Sequence, residues 1–213
     1  KHFFFFLDGG RCDTCKGEGE QVVEMQFLAD VHLTCESCGG KRFKEEVLEV
    51  KFNDKNIHDV LEMGVDEAIE FFSSGGREAD GIARAIQPLS DVGLGYVKLG
   101  QSSDTLSGGE AQRVKLASFL GKGRSNNKVL FIFDEPTTGL HFHDIQKLLT
   151  SFHALIEQGH SIIVIEHNTD VIKSADWLID LGPEAGDGGG GLVYAGPPAG
   201  IKEVKECHTA EFL

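Results

Sequence analysis

Two adjacent carboxylates follow an apolar run in this 213-residue chain, at a position where they could do chemistry. Asp134 and Glu135 come directly after residues 129–133, which read Val-Leu-Phe-Ile-Phe. Such a run predicts a buried parallel strand, and open α/β sheets bind ligands at the carboxyl ends of their strands. One carboxylate there can hold Mg²⁺, directly or through water, and a second can orient water toward a phosphate. We assign Asp134 to the metal and Glu135 to the water; the alternative is a strand that ends in an ordinary surface turn.

Paired cysteines are the second chemical feature. Cys12 and Cys15 form one C-x-x-C pair, and Cys35 and Cys38 form another. Two such pairs predict a structural Zn²⁺ site, because each tight turn supplies two thiolates and two turns complete a tetrahedron. Four thiolates without a histidine suit a closed, non-catalytic site, and disulfides are the alternative. Cys207 is left over, and we assign it no function.

The elements that position the cysteines are predicted from apolar periodicity. Residues 21–34 are rich in β-formers and partly alternating, so we expect a β-hairpin whose base the zinc ion staples. Beyond the cysteines we predict a strand at 47–52, an amphipathic helix at 65–72 that ends near the glycines at 75 and 76, a helix at 78–89 and a loop at 93–100. The apolar residues 3–7 are predicted to be a fold edge or a strand end.

Around the carboxylates, predicted helices and strands alternate along the chain. Ser107 and Glu110 fit a capping box, which predicts a helix from there to Leu120. Its glycine-rich N-terminus suits a phosphate, although simple capping explains the same residues. Apolar spacing predicts a helix at 142–158 and a second buried strand at 161–166, which ends at His167 and completes a right-handed βαβ unit. We expect a short helix from 168, strands at 177–181 and 192–195, and a glycine loop at 186–191.

This order of motifs resembles the ATP-binding cassette (ABC) ATPases. In that resemblance residues 107–112 are the signature motif, within which Ser107, Gly108, Gly109 and Gln112 contact ATP. Asp134 and Glu135 form the Walker B motif, in which Asp134 holds Mg²⁺ and Glu135 is catalytic, while residues 139–141 lie in the D-loop. His167 corresponds to the catalytic switch histidine, whereas a lone histidine at a strand end is otherwise more often structural. The resemblance implies an α/β fold with an ABC-type ATPase lobe.

Together with the cysteine pairs, these motifs look like the C-terminal half of the UvrA family of bacterial excinuclease proteins. The resemblance implies a zinc-stapled hairpin module at 1–50, a helical signature subdomain at 51–125 and a Walker B and switch-histidine part at 126–213. It further implies a cytoplasmic, homodimeric ATPase of nucleotide excision repair that uses ATP and Mg²⁺, recognises lesions in double-stranded DNA and loads UvrB. A paralogue linked to drug tolerance is one alternative. A zinc-dependent interaction module with a non-catalytic ATPase lobe is another.

Charge and composition limit the modes of DNA binding. A formal net charge of -14 argues against a polycationic DNA-binding surface over the whole chain. Local contacts remain possible at residues 41–44 and at a group comprising Arg113, Lys115, Lys122, Arg124 and Lys128, although solvated faces explain both. No apolar run approaches the roughly 20 residues that span a bilayer.

The sequence lacks the phosphate-binding loop that such an ATPase needs. It begins at Lys1 and contains no G-x-x-x-x-G-K-[ST] motif. In ABC proteins that loop precedes the signature motif, so we expect the chain to be part of a longer protein. The isolated chain is therefore predicted to be inactive.

Overall fold

The computed structural model describes residues 9–23, 25, 31–121, 127–182, 189–204 and 207–213. The chain divides into two compact units: one comprises residues 1–84 and 96–101, and the other comprises residues 85–95 and 102–213. The three-part division at residues 50 and 125 remains a prediction.

The first unit contains an antiparallel hairpin followed by short helices. Strands β1 (Glu20–Val23) and β2 (Val31–Thr34) pair with Glu20 opposite Thr34 and Val23 opposite Val31. This pairing confirms the predicted hairpin over its described residues. The helices that follow are α1 (Glu45–Leu48), α2 (Ile57–Glu62), α3 (Val65–Ser73) and the beginning of α4 (Arg77–Asp91).

The strand predicted at 47–52 is wrong. Residues 45–48 form α1, whose first turn carries Glu45 and Glu46, and acidic residues are favourable at a helix N-terminus. Phe52 pairs only with Lys55 in an isolated bridge, across a tight turn in which Asn53 and Asp54 have φ of 45° and 64°. A window of only six residues, in which apolar and charged side chains are mixed, does not distinguish a helical turn from a strand.

The helix predicted at 65–72 is confirmed and carries much of the first unit's core. Helix α3 buries Val65, Ala68 and Phe72 on one face. The Phe52 ring stacks on Phe72 and meets Phe71 edge-on, with centroids 6.2 and 5.8 Å apart. Aromatic pairs at these separations add to the stability that burial provides.

The second unit alternates helices and strands, as predicted. Its helices and strands are α5 (Gly108–Leu120), β3 (Leu130–Asp134), α6 (Phe142–Glu157), β4 (Ser161–Ile165), α7 (Thr169–Ser174), β5 (Leu178–Gly182) and β6 (Gly191–Gly196). Short 3-10 helices occupy Ser103–Thr105, Pro198–Glu203 and Thr209–Phe212. Strands β3 and β4 are parallel, with Asp134 opposite Ile165, so their carboxyl ends coincide. Strands β5 and β6 form a separate antiparallel pair.

Both strands of the parallel pair were predicted to be buried, but β3 is buried on one face only, and every residue of β4 is partly or largely exposed. Phe131 and Phe133 are buried, and the Phe133 ring lies 5.0 Å from that of Phe152 on α6. Leu130 and Ile132, on the opposite face, remain 55% and 64% exposed. The difference arises because α6 covers one face, while no described element covers the other.

Several predicted features lie outside the described residues. They are the apolar run at 3–7, the basic positions 122 and 124, and the first part of the glycine loop at 186–191. Among the described helices, none is long and apolar enough to cross a membrane.

Candidate functional sites

The four paired cysteines converge in the first unit. Their sulfur atoms all lie within 4.8 Å of one another. The Sγ atoms of Cys12 and Cys35 are 3.9 Å apart, and those of Cys15 and Cys38 are 3.7 Å apart. Thiolates around a tetrahedral Zn²⁺, with Zn–S bonds of about 2.3 Å, are separated by about 3.8 Å. A disulfide needs sulfurs about 2 Å apart, and all these cysteines are free. The donor set and its spacing therefore fit zinc.

Backbone hydrogen bonds assemble the cysteine turns. The Gly19 amide donates to Cys15 Sγ at 3.3 Å, and the Cys35 amide donates to the Gly19 carbonyl at 2.9 Å. Gly19 has φ of 80°, and a Cβ there would lie 2.8 Å from the Gly40 carbonyl oxygen, so the close approach requires glycine. The backbone amide of Cys15 is the main cause that lowers the pKa of Cys12 to about 7, whereas burial raises the pKa of Cys38 to about 11. The fold alone therefore favours the thiolate at Cys12 but not at Cys38.

Each of the two basic groups named from the sequence contains a buried residue. Phe43 is buried, and Lys44 pairs with Asp13 at 2.8 Å, which raises the pKa of Lys44. Arg113 is fully buried and cannot contribute to a DNA-binding surface, so its place in the second group was wrong. Its position on the inner face of α5 explains the burial. Lys115 and Lys128 are exposed.

The second site lies where strands β3 and β4 end. Asp134 is the exposed last residue of β3, and Glu135 follows with φ of 46°. A positive φ is costly for a side-chain-bearing residue and persists only when neighbours enforce it. Here the Glu135 amide donates to the Ile165 carbonyl at 2.9 Å. Glu135 Oε1 lies 2.9 Å from Nε2 of His167, and both side chains are largely open to solvent. The structure thus brings together the predicted catalytic pair.

Glu166, which sequence reasoning treated only as the end of a strand, links the turns that follow β3 and β4. Its Oε1 accepts from the Thr137 amide at 2.9 Å and from the Thr137 hydroxyl. Its Oε2 accepts from the amides of His167 and Asn168 at 2.9 and 3.0 Å. Burial alone would raise the pKa of Glu166, but these hydrogen bonds outweigh it and hold that pKa below its usual value. The signal in the sequence was the position of Glu166 directly after β4, which matches the position of Glu135 directly after β3.

Helix α5 is fastened to the end of β3 by two consecutive side chains. Gln112 donates from Nε2 to the Asp134 carbonyl at 3.0 Å and accepts from the Asp134 amide at 3.1 Å. Arg113 donates from Nη1 to the carbonyls of Pro136 and Thr138 at 2.7 and 3.5 Å. The contact of Gln112 with ATP stays a prediction, and it would require the amide to exchange these hydrogen bonds.

The N-terminus of α5 lies beside the same turn. The predicted capping box is present, since the Ser107 hydroxyl accepts from the Glu110 amide and the Glu110 carboxylate accepts from the Ser107 amide at 2.7 Å. A Cβ on Gly109 would lie 3.6 Å from the carbonyl oxygens of Glu135 and Thr138. Gly108 borders open space. Contact of Ser107, Gly108 and Gly109 with a phosphate stays a prediction.

Cys207, which had no predicted role, is buried and fastens the C-terminal segment to β5. Its thiol donates to Asp180 Oδ2 at 3.1 Å, and the Thr209 hydroxyl donates to Oδ1 of the same carboxylate at 2.9 Å. Burial raises the pKa of Cys207, and the Asp180 carboxylate raises it further. No local pattern in the sequence signals this contact.

Comparison with known proteins relates the chain to one family. The chain is 58% identical over 211 residues, 99% of its length, to UvrABC system protein A of Pasteurella multocida (strain Pm70). It is 54% identical over the same length to UvrABC system protein A of Escherichia coli (strain K12). This chain belongs to the UvrA family. It spans about 22% of the length of these UvrA relatives.

A solved UvrA structure supports the assignment. The crystal structure of UvrA2 from Deinococcus radiodurans matches with a TM-score of 0.83 and 43% identity, covering 100% of this chain and 25% of that one. A scan against protein-family models gave no match. The α/β fold with its four-cysteine cluster is therefore that of a UvrA segment.

Proposed function

We propose that this chain forms the zinc-bearing and Walker B part of an ATPase that detects DNA damage in nucleotide excision repair. The proposal rests on its kinship with UvrABC system protein A and on one observation in the site. Glu135 and His167 come from the ends of adjacent parallel strands and their side chains lie 2.9 Å apart. That arrangement suits hydrolysis of a phosphoanhydride.

Each residue of the site has a distinct task in this proposal. Glu135 orients the attacking water, and His167 holds the Glu135 carboxylate and contributes a hydrogen bond near the γ-phosphate. Asp134 would hold Mg²⁺, because its carboxylate is exposed while Gln112 fixes its backbone. Mg²⁺ neutralises phosphate charge when bound. Ser107, Gly108 and Gly109 would contact phosphate through the N-terminus of α5.

The partners follow from the family. We infer that the full-length protein is a cytoplasmic homodimer that recognises lesions in double-stranded DNA and loads UvrB. The zinc-bound hairpin would take part in distinguishing damaged from intact duplex. Because the chain carries a formal net charge of -14, DNA contact should be confined to local groups such as Lys41 and Arg42 beside the cysteines.

The test is Glu135→Gln in a full-length UvrA polypeptide that carries this segment. The amide preserves the shape of the side chain but cannot polarise water as a carboxylate does, so steady-state ATP turnover should fall about a hundred-fold or more. Nucleotide binding should persist. Glu157→Gln, on the exposed end of α6, is the matched control and should leave turnover unchanged.

Two experimental results would contradict this proposal and favour one of the alternative functions. Near-normal turnover in Glu135→Gln would remove this residue from hydrolysis and favour a zinc-dependent interaction module. Active ATPase that fails to load UvrB onto lesion-bearing DNA would favour a paralogue with another task.

A further inference from the structure

Glu166 makes more contacts than capping the following helix requires. Helix α7 already has its N-cap, since the Asn168 side chain accepts from the amides of Asp170 and Val171. One Glu166 oxygen nevertheless extends to the neighbouring turn, where Thr137 supplies both its amide and its hydroxyl. The other oxygen accepts from the His167 and Asn168 amides. The carboxylate therefore joins two turns, and each turn carries one member of the candidate catalytic pair.

Besides the strand pairing, two described side-chain contacts join these turns: Glu135 with His167, and Thr137 with Glu166. Glu135 precedes Thr137 by two residues in a left-handed conformation, and its carbonyl accepts from the Thr138 amide at 3.1 Å. His167 directly follows Glu166 and is 81% exposed, so packing does not hold its ring. Hydrogen bonds to an ionised group are roughly twice as strong as neutral ones. Glu166 thus joins the two turns through two hydrogen bonds that its carboxylate accepts from Thr137, independently of the Glu135–His167 contact.

Resting on the proposed function, we propose that Glu166 is a positioning residue that sets the distance between Glu135 and His167. It acts through Thr137 on one turn and through the His167 amide on the other. Both of its carboxylate oxygens already accept hydrogen bonds from protein donors, so we assign it no direct contact with the nucleotide. A shift of about 1 Å in a catalytic group can cost up to a hundred-fold in rate, so such a link matters for turnover.

The test compares three variants of a full-length UvrA polypeptide carrying this segment. Glu166→Gln retains the side-chain size but provides one good acceptor instead of two, and Thr137→Val removes only the hydroxyl. The matched control is Thr138→Val, because Thr138 is exposed and its described contacts are made by its backbone. We expect kcat to fall roughly ten-fold in Glu166→Gln and several-fold in Thr137→Val, with KM for ATP nearly constant. Thr138→Val should match the wild type.

A second background separates positioning from general stabilisation. If Glu166 acts through the catalytic pair, Glu166→Gln should lower kcat less than about two-fold once His167→Ala has removed the pair. The same loss of kcat in both backgrounds, or a KM that rises in proportion, would overturn the positioning role. An active wild type with unaltered kcat in Glu166→Gln would also overturn it while leaving the ATPase proposal intact. A wild type without ATP turnover would overturn both.

Discussion

The cysteine site and the carboxylate site are built on opposite principles. Around the first, the buried cluster consists of the cysteines themselves, with Cys12, Cys15 and Cys35 buried and Cys38 packed against them. Around the second, an apolar core exists independently of any ligand and includes Phe131, Phe133, Leu148, Phe152 and Leu155. The cysteine site should therefore unfold when its metal ligand is lost. The carboxylate site rests on a separate apolar core, so substitutions in it should reduce activity before they reduce stability.

Electrostatics sharpen the difference. Four thiolates brought within 4.8 Å repel one another unless a cation lies between them, so zinc binding and folding are linked at the cysteine turns. At the strand ends, the charged groups are tied by hydrogen bonds from their own neighbours. Glu166 has four such donors, and Gln112 fixes the Asp134 backbone. The carboxylate site is therefore organised by the protein before any nucleotide binds.

The largest predicted effect comes from removing one of the four clustered cysteine thiolates. It tests whether the cysteine site loses its structure while the second unit keeps its own. Cys35→Ser in the purified chain should abolish tight zinc binding and expose residues 9–23 and 31–44 to rapid hydrogen exchange, because a structural zinc ion supplies much of the folding free energy of a small module. Protection in α6 and β4 should persist. Zinc by elemental analysis and exchange by mass spectrometry give the two readings.

A matched control for this prediction lies in the same chain. Cys207 is also a buried cysteine but is not one of the four clustered cysteines, so Cys207→Ser should retain one zinc ion per chain. Wild-type protein without zinc, or loss of protection in α6 together with the cysteine turns, would contradict the separation of the two regions.

Nucleotide binding tests the carboxylate site of this comparison. The organised carboxylates add negative charge, and in P-loop NTPases most phosphate affinity comes from a Gly-rich loop and its lysine, a motif that this sequence lacks. We therefore expect the 213-residue chain to show no ATP binding at micromolar concentrations and no hydrolysis. Adding a separately made part that carries the loop should restore binding if the two parts associate. Micromolar binding by the chain alone, measured by calorimetry, would mean that another phosphate site exists.

The sequence predicted those features that depend on local patterns. The cysteine pairs, the capping box at Ser107 and the βαβ unit ending at His167 each depend on a short stretch with a known period or spacing. The strand predicted at 47–52 failed because helical and extended periods are indistinguishable over so few residues. Helix α1 and a tight turn occupy that stretch instead.

Long-range contacts explain the rest. Arg113 looked like a surface cation, but its guanidinium lies in the interior and donates to carbonyls 23 and 25 residues away in sequence. Glu166 looked like a strand end, but it accepts from Thr137, 29 residues away. Side chains that bond to distant backbone leave no periodic signal, because their partners are peptide groups that every residue carries.

The smallest predicted effect concerns Cys207, the cysteine outside the four-cysteine cluster. Cys207→Ala removes the hydrogen bond to Asp180 and leaves a small cavity, which should lower the free energy of unfolding by about 1–3 kcal/mol. The wild-type contribution should also depend on pH. The folded pKa of Cys207 lies above its value in the unfolded chain, so its contribution is complete below the unfolded pKa near 9 and declines as pH rises through the folded value. Urea unfolding of the zinc-loaded chain between pH 7 and pH 10.5 should therefore show the wild type approaching Cys207→Ala at the alkaline end. Thr209→Val removes the other donor to Asp180 and is the control, so its free energy of unfolding should still decline at alkaline pH. A constant difference in the free energy of unfolding between the wild type and Cys207→Ala across this range would show that the fold does not hold the thiol neutral.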